Sequence, residues 1–245
     1  NFLILTKDST DVFKKKHRKM VKVEMTLPWI SEYTKAWEQY LTEAKKRVTP
    51  DSLDNIKELQ NLIEKGQCYQ VNSMWKAKRV AKDIADKVYG DKRIVLYCLF
   101  VETYEFIKSE LDRLGVSNNS FEDVKEWKEG DAQVIIGRIK AHGKGTNLAE
   151  ASTTIFVDMD YVPANNIQAE NRIDRPEQTE DMEIIYYVTA GDDVVDHYVR
   201  EINRVKTKRI NEFMKPFTKE EFEEMPKKIE EMRTKYKREC KILDI

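Results

Sequence analysis

Glycine and proline are scarce in this 245-residue chain, at 8 and 6 residues. That is about half the usual share, which excludes a collagen-like chain and favours long helices over tight-turned sheet. Long apolar runs are missing too. The longest, Ile94–Val101, is far too short to cross a bilayer as a helix, so no membrane role is expected. Cysteine is equally rare. Cys68, Cys98 and Cys240 are odd in number and far apart, which excludes a disulfide scaffold and points to a reducing intracellular compartment. No CxxC occurs, and His17, His142 and His197 are dispersed. Neither a metal site nor a Cys–His nucleophile pair is expected, and Cys98, inside the apolar run, reads as core. Nor is there an excess of one charge: 43 Lys+Arg against 44 Asp+Glu leaves −1, which argues against a wholly basic nucleic-acid protein. No signal-peptide pattern follows Asn1, because Lys14–Lys19 is basic and no apolar stretch comes next. The chain reads as a piece of something longer.

What is present is charge, 36% of residues, laid over three regions. Residues 1–92 read as helix-rich, with one alternating strand at Val21–Met25 and helices around Trp29–Tyr40, Ser52–Lys65 and Ser73–Val88, the last with Ser73 as N-cap. Trp29, Tyr33, Trp37 and Tyr40 at near-helical spacing make an aromatic core face. Residues 93–214 carry short continuous apolar runs at Ile94–Val101, Val134–Ile136, Ile155–Val157 and Ile184–Val188. Such runs suit parallel strands covered on both faces, with Glu102–Leu114 as a crossover helix. Ligands are then expected beyond the C-terminal strand ends. Asp192 or Asp193 can cap a further helix carrying Val195, Val199 and Ile202, and 215–245 is a charged helical tail. The fold class is α/β, a parallel sheet flanked by helices with helix-rich extensions at both ends.

Two segments after strands can carry chemistry. The first is His142-Gly143-Lys144-Gly145-Thr146-Asn147-Leu148. It is not a Walker A, since Gly137 and Gly143 are separated by five residues and Lys144 is followed by Gly145. Its glycines let backbone N–H groups approach a phosphate or a DNA backbone, and an ordinary tight turn is the other reading. The second runs from Asp158 to Gln178. Pro163 suits a first helical turn, after which Gln168, Arg172 and Arg175 fall at i, i+4, i+7 on one face. Only four residues of 163–175 are Ala or Ile, so this helix is a poor core filler. Two guanidiniums on one stripe form a phosphate clamp; the alternative is a surface helix salt-bridged through Glu170 and Asp174.

The order of these segments resembles the C-terminal RecA-like lobe of superfamily-two helicases, and more narrowly the Swi/Snf family of DNA-translocating ATPases. The resemblance rests on Gly143-Lys144-Gly145-Thr146-Asn147-Leu148, then the strand 155–157, then Asp158-Met159-Asp160-Tyr161-Val162-Pro163, then Gln168-Ala169, Arg172, Arg175 and Gln178 at matching spacing. Lys92-Arg93 and the strand after them look like the family's fourth motif. Asn1–Val12, Val21–Met25 and the Trp29–Tyr40 helix look like the passage from a first lobe into a second. The likeness covers roughly 1–214.

The resemblance implies that Arg172 and Arg175 are arginine fingers meeting the ATP γ-phosphate across an inter-lobe cleft, where charge develops on the equatorial oxygens. It implies that Gln168 bonds near the nucleotide, and that Gly143, Gly145 and Asn147 form a fifth motif linking that cleft to the tracked strand. Lys140 and Lys144 would meet the phosphate backbone of double-stranded DNA, and Tyr161, in place of the family's Trp, would keep an aromatic contact there. His142, Asp174 and Glu177 depart from the family pattern and suggest a divergent member, viral or bacterial. No Walker A and no Asp-Glu Walker B pair occurs, so ATP and Mg²⁺ would be held mainly by an N-terminal lobe, and the isolated chain is expected not to hydrolyse ATP. The expected place of action is intracellular, in a bacterial or infected-cell cytoplasm or a nucleus. The basic runs Lys14–Lys19 and Arg200–Arg209 are solvated faces or DNA contacts. Two other readings stay open: a catalytically inactive RecA-like scaffold that binds DNA or protein, and an unrelated α/β fold whose arginines hold another phosphate ligand.

Overall fold

The computed structural model describes residues 14–47, 67–143, 145–191 and 194–213. Its centre is a six-stranded sheet, all parallel, in the order β1-β6-β5-β2-β4-β3. The strands are β1 (Lys16–Val23), β2 (Ile94–Cys98), β3 (Asn118–Ser120), β4 (Val134–Arg138), β5 (Thr153–Phe156) and β6 (Met182–Thr189). The expected apolar runs all became strands. β2 and β5 lie inside the sheet, in register Ile94↔Thr153, and every residue of both is buried. Burial on both faces is why their sequences are continuously apolar instead of alternating.

Each face has its own core. On one, Ile94, Leu96, Ile136, Ile155, Ile185 and Tyr187 pack with Trp29 of α1 (Leu27–Arg47), Val80 of α2 (Gln67–Ala85), Ile107 of α3 (Val101–Arg113) and Val199 of α7 (Val195–Phe213). On the other, Val95, Tyr97, Ile135, Phe156 and Ile184 pack with Trp127 of α4 (Val124–Glu129), Ile139 of α5 (Ile139–His142) and Ala169 of α6 (Pro163–Glu170). The second face is covered by the shorter helices, and it carries the candidate residues.

Several expectations shift. The strand expected at 21–25 runs Lys16–Val23 and takes in most of the basic run. As the sheet's edge strand it keeps its charged side chains at the rim, where an edge tolerates them. The sheet therefore draws on residues either side of position 92, and Asn1–Lys206 forms one compact unit and Thr207–Ile245 another. Ser73 caps nothing, because α2 begins six residues earlier and buries it. β3 was not anticipated, since Asn-Asn-Ser gives no apolar signal. The expectations for 1–12, 52–65, Asp192, Asp193, 215–245 and Cys240 lie outside the described residues. No described helix is long and apolar enough to cross a membrane.

Candidate functional site

The helix expected over 163–175 stops at Glu170. Pro163 opens it at the first position, as its fixed φ favours. Its early end has a local cause. Continuing the helix would need residue 176 to donate to the Arg172 carbonyl, and residue 176 is proline, which has no N–H and disfavours helical geometry at Arg175. The Arg172 carbonyl instead accepts the Leu148 N–H at 2.9 Å. Arg172 and Arg175 thus stand on the turn after α6. The helix leaves the C-terminal end of β5 and returns toward the start of β6. The Arg172 backbone consequently lies beside Leu148, on the approach to β5, while its side chain turns to the glycine loop that follows β4.

Arg172 is 9% exposed and is clamped to the glycine loop. Its Nε donates to the Gly143 carbonyl at 3.0 Å and the Gln168 carbonyl at 3.2 Å, and its Nη1 to the Thr146 carbonyl at 3.3 Å. Burial, then the charge of Arg175, lowers its pKa from the ordinary guanidinium value. Arg175 is half-buried, and its Nε has no hydrogen-bond partner among the described residues. None of the described carboxylates lies within ion-pair distance of either guanidinium. The surface-helix alternative fails here, because Glu170 and Asp174 pair elsewhere. Arg18 Nη2 is 2.5 Å from Glu170 Oε2, and Lys16 Nζ is 2.9 Å from Asp174 Oδ2. The Gln168 side-chain oxygen is also buried without a hydrogen-bond partner among the described residues.

The loop is built for close approach. A Cβ on Gly143 would sit 2.4 Å from the Ile139 carbonyl oxygen, so only glycine closes α5 against it. Gly145 has φ +91°, the left-handed region that glycine enters without strain. Asn147 is exposed and its Oδ1 accepts the Ala149 N–H at 3.0 Å. Lys144 lies outside the described residues. His142 stacks on Phe121 with centroids 5.0 Å apart, and its Nδ1 accepts the Arg138 N–H at 3.0 Å. Burial lowers its pKa. Gln178 is a strut: its Nε2 donates to the carbonyls of Ala149, Ala151 and Ile173, at 3.3, 2.8 and 3.3 Å.

Tyr161 is not where a nucleic-acid contact requires it. It is 1% exposed, its ring meets Tyr69 edge-on at 5.7 Å, and no face is open to a base or a phosphate. The aromatic was kept for the core. Lys140, on α5, is exposed, with Nζ 5.9 Å from the Tyr161 ring centroid.

Sequence reading missed a buried network on the opposite face. Lys76 Nζ is 2.9 Å from Asp196 Oδ1 and 3.3 Å from Asp158 Oδ1, all three residues being almost fully buried. Asp158 Oδ2 also accepts Ser73 Oγ at 2.6 Å and the Leu99 N–H at 3.1 Å. Asp196 Oδ2 accepts the Thr189 N–H and hydroxyl at 2.7 and 2.6 Å. One cation thereby ties α2 and α7 to the ends of β2, β5 and β6. Burial raises the Asp158 pKa despite Lys76, while the two carboxylates outweigh burial and raise that of Lys76. The Asp-x-Asp pair was the available signal. Asp160, its second member, accepts the Val162 N–H at 2.9 Å and Asn165 Nδ2 at 3.0 Å, shaping the entry to α6.

An open cleft of about 530 Å³ lies elsewhere, lined by Lys92, Arg93, Glu150, Ser152, Gln178 and Glu180 at the strand starts. Its charges are largely spent on neighbours: Glu150 pairs with Lys128 at 2.9 Å and Lys92 with Glu183 at 3.0 Å.

Comparison with known proteins places the fold. No family model matches the chain. It is 29% identical over 140 residues to the ATP-dependent helicase fft2 of Schizosaccharomyces pombe, an alignment covering 52% of this chain and 11% of that protein. The structure resembles the C-terminal part of the Fun30 ATPase domain, with a TM-score of 0.57 at 14% identity, over 78% of this chain and 90% of the other. It also resembles the Sulfolobus solfataricus SWI2/SNF2 ATPase core in complex with double-stranded DNA, with a TM-score of 0.51 at 16% identity, over 72% and 41%. The fold is therefore RecA-like α/β, a parallel sheet flanked by helices. What the chain resembles, in sequence and in architecture, is the C-terminal lobe of a Swi/Snf-type helicase ATPase. A viral or bacterial source finds no support in these likenesses.

Proposed function

We propose that this chain is the second motor lobe of an ATP-dependent, double-stranded-DNA-translocating or remodelling ATPase, working inside the cell. The observation that carries this reading is the uncompensated arginine pair. Two neighbouring guanidiniums, one 9% exposed, have no carboxylate among the described residues, and cationic groups removed from water need an anion. A triphosphate fits that need. Arg172 and Arg175 would hold its terminal phosphate, with Gln168 beside them, and stabilise the charge that grows on the transferred group. Arg172 is held by the carbonyls of Gly143 and Thr146, so a shift of the arginine on nucleotide binding would reach the loop directly. Gly145, Asn147 and Lys140 are exposed on that loop and its helix, and would meet a DNA backbone without reading its sequence. Among the described residues no group of three His, Cys, Asp or Glu is placed to hold a metal ion. An N-terminal lobe is the partner that would supply the β-phosphate and metal sites.

The test is a pair of substitutions, Arg172→Ala and Arg175→Ala, in the complete two-lobed protein. The finger role predicts loss of DNA-stimulated ATP turnover by about 10³-fold, with DNA affinity largely kept. Unchanged turnover refutes it and leaves the scaffold reading.

A further inference from the structure

We infer that Lys16 and Arg18 of β1 are positioning residues for the arginine pair: they sequester the two acids of the same segment, so that Arg172 and Arg175 keep their positive field for phosphate. This rests on the reading of those arginines as phosphate-facing groups.

The segment 170–175 is electrically self-compensating in sequence, with Glu170 and Asp174 against Arg172 and Arg175. Paired among themselves, the four would offer an incoming phosphate nothing. The fold separates them. Glu170 and Asp174, four residues apart, turn to β1, and Arg172 turns to the glycine loop. Arg18 Nε donates to Glu170 Oε1 at 2.9 Å, its Nη2 to Oε2 at 2.5 Å, and the Tyr186 hydroxyl to Oε1 at 3.0 Å. Lys16 Nζ lies 2.9 Å from Asp174 Oδ2, donates to Asn171 Oδ1 at 2.8 Å, and is 3.9 Å from Glu170 Oε2. Both acids are nearly buried, at 3% and 7% exposure. A buried carboxylate that loses its partner must find another cation or take up a proton. The other guanidiniums of the same segment are Arg172 and Arg175.

The placement follows from register. β1 lies parallel to β6 with Lys16 opposite Met182 and Arg18 opposite Ile184, and Met182 and Ile184 belong to the core under α6. Alternate residues of a strand share a face, so Lys16 and Arg18 reach α6 together while His17 does not. The basic run that suggested a solvated face or a DNA contact thus has a local electrostatic task.

The test uses charge rescue. In this chain, with tripolyphosphate as the probe at low salt, Lys16→Gln with Arg18→Gln is expected to weaken binding about tenfold, measured by calorimetry. Adding Glu170→Gln and Asp174→Asn to that variant should restore it to within about threefold. In the two-lobed protein the same pair should raise the KM for ATP, and the quadruple variant should reverse the change. Unweakened binding in the double variant, or no recovery in the quadruple, overturns the inference and leaves β1 a purely structural strand. If the double variant does not fold, Glu170→Gln with Asp174→Asn alone decides. Removing the acids while keeping the β1 cations should tighten tripolyphosphate binding, and unchanged or weaker binding overturns the inference. Failure of the underlying reading looks different: Arg172→Ala with Arg175→Ala would then bind tripolyphosphate like the unaltered chain.

Discussion

Replacing Lys76 by Met should be among the most destabilising single changes in this chain, and the reason is a count of partners. The ammonium is 1% exposed and stands between the side chains of Asp158 and Asp196, which are 0% and 4% exposed. The Oδ2 atoms keep their partners in the variant: Ser73 and the Leu99 amide on Asp158, and the Thr189 amide and hydroxyl on Asp196. The Oδ1 atoms lose the cation they share. Methionine fills the space, so the loss is electrostatic and not a cavity. Breaking a buried pair from one side costs about 3–5 kcal/mol. At 2–4 °C per kcal/mol for a chain of this size, that is a fall in Tm of roughly 10 °C. The pH dependence carries the sharper sign. In the unaltered chain the Lys76 pKa is raised above its ordinary value, so its contribution is fully present below that value and is lost as pH rises through the folded-state pKa. The Asp158 pKa is also raised, so the folded state binds more protons there, and stability from this group falls as pH rises through the interval above its usual value of 3.8. Removing Lys76 widens that interval upward, and the variant should recover stability on mild acidification more than the unaltered chain does. Urea unfolding at several pH values measures both effects. A loss under 1 kcal/mol at neutral pH, with no recovery on acidification, refutes the picture of one ammonium holding two buried carboxylates.

Other predictions concern the site itself. Gly143→Ala puts a Cβ against the Ile139 carbonyl and should cost about 1–3 kcal/mol through displacement of the loop, seen as a lower urea midpoint and as altered amide exchange at Leu148, which bonds Arg172. Burial lowers the folded-state pKa of His142. Its contribution is full above the unfolded value near 6.5 and is lost as pH falls below it, and His142→Asn should flatten that acid limb. Gln178→Ala leaves the carbonyls of Ala149 and Ala151 short of a donor and should cost about 1–3 kcal/mol by thermal unfolding. Loss of ATP turnover on replacing Arg172 and Arg175 in the two-lobed protein completes the set.

Much of the fold was legible because burial on both faces leaves an unmistakable mark. The runs at 94, 134, 155 and 184 could not be solvent-facing strands, and all four pair in parallel. β3 was not legible, because three polar residues carry no periodicity. β1 was displaced because an edge strand reads as a charged stretch. The glycine loop and the 158–178 segment stood out by residue type and spacing, yet their geometry did not follow from helical periodicity. Pro176 ends the helix early, a local effect that the i, i+4, i+7 stripe ignored. Tyr161 kept its aromatic character for packing instead of for a ligand.

The order of strands in the chain, the run lengths and the presence of two arginines near two acids belong to the sequence itself, because they depend on local composition and on the demand for burial. Which charge meets which was decided only in three dimensions. Lys16 and Arg18 lie more than 150 residues from Glu170 and Asp174, and only the parallel pairing of β1 with β6 brings them together. Electrostatic partners are chosen by distance in space and by shared desolvation, and neither can be read along a chain before it folds.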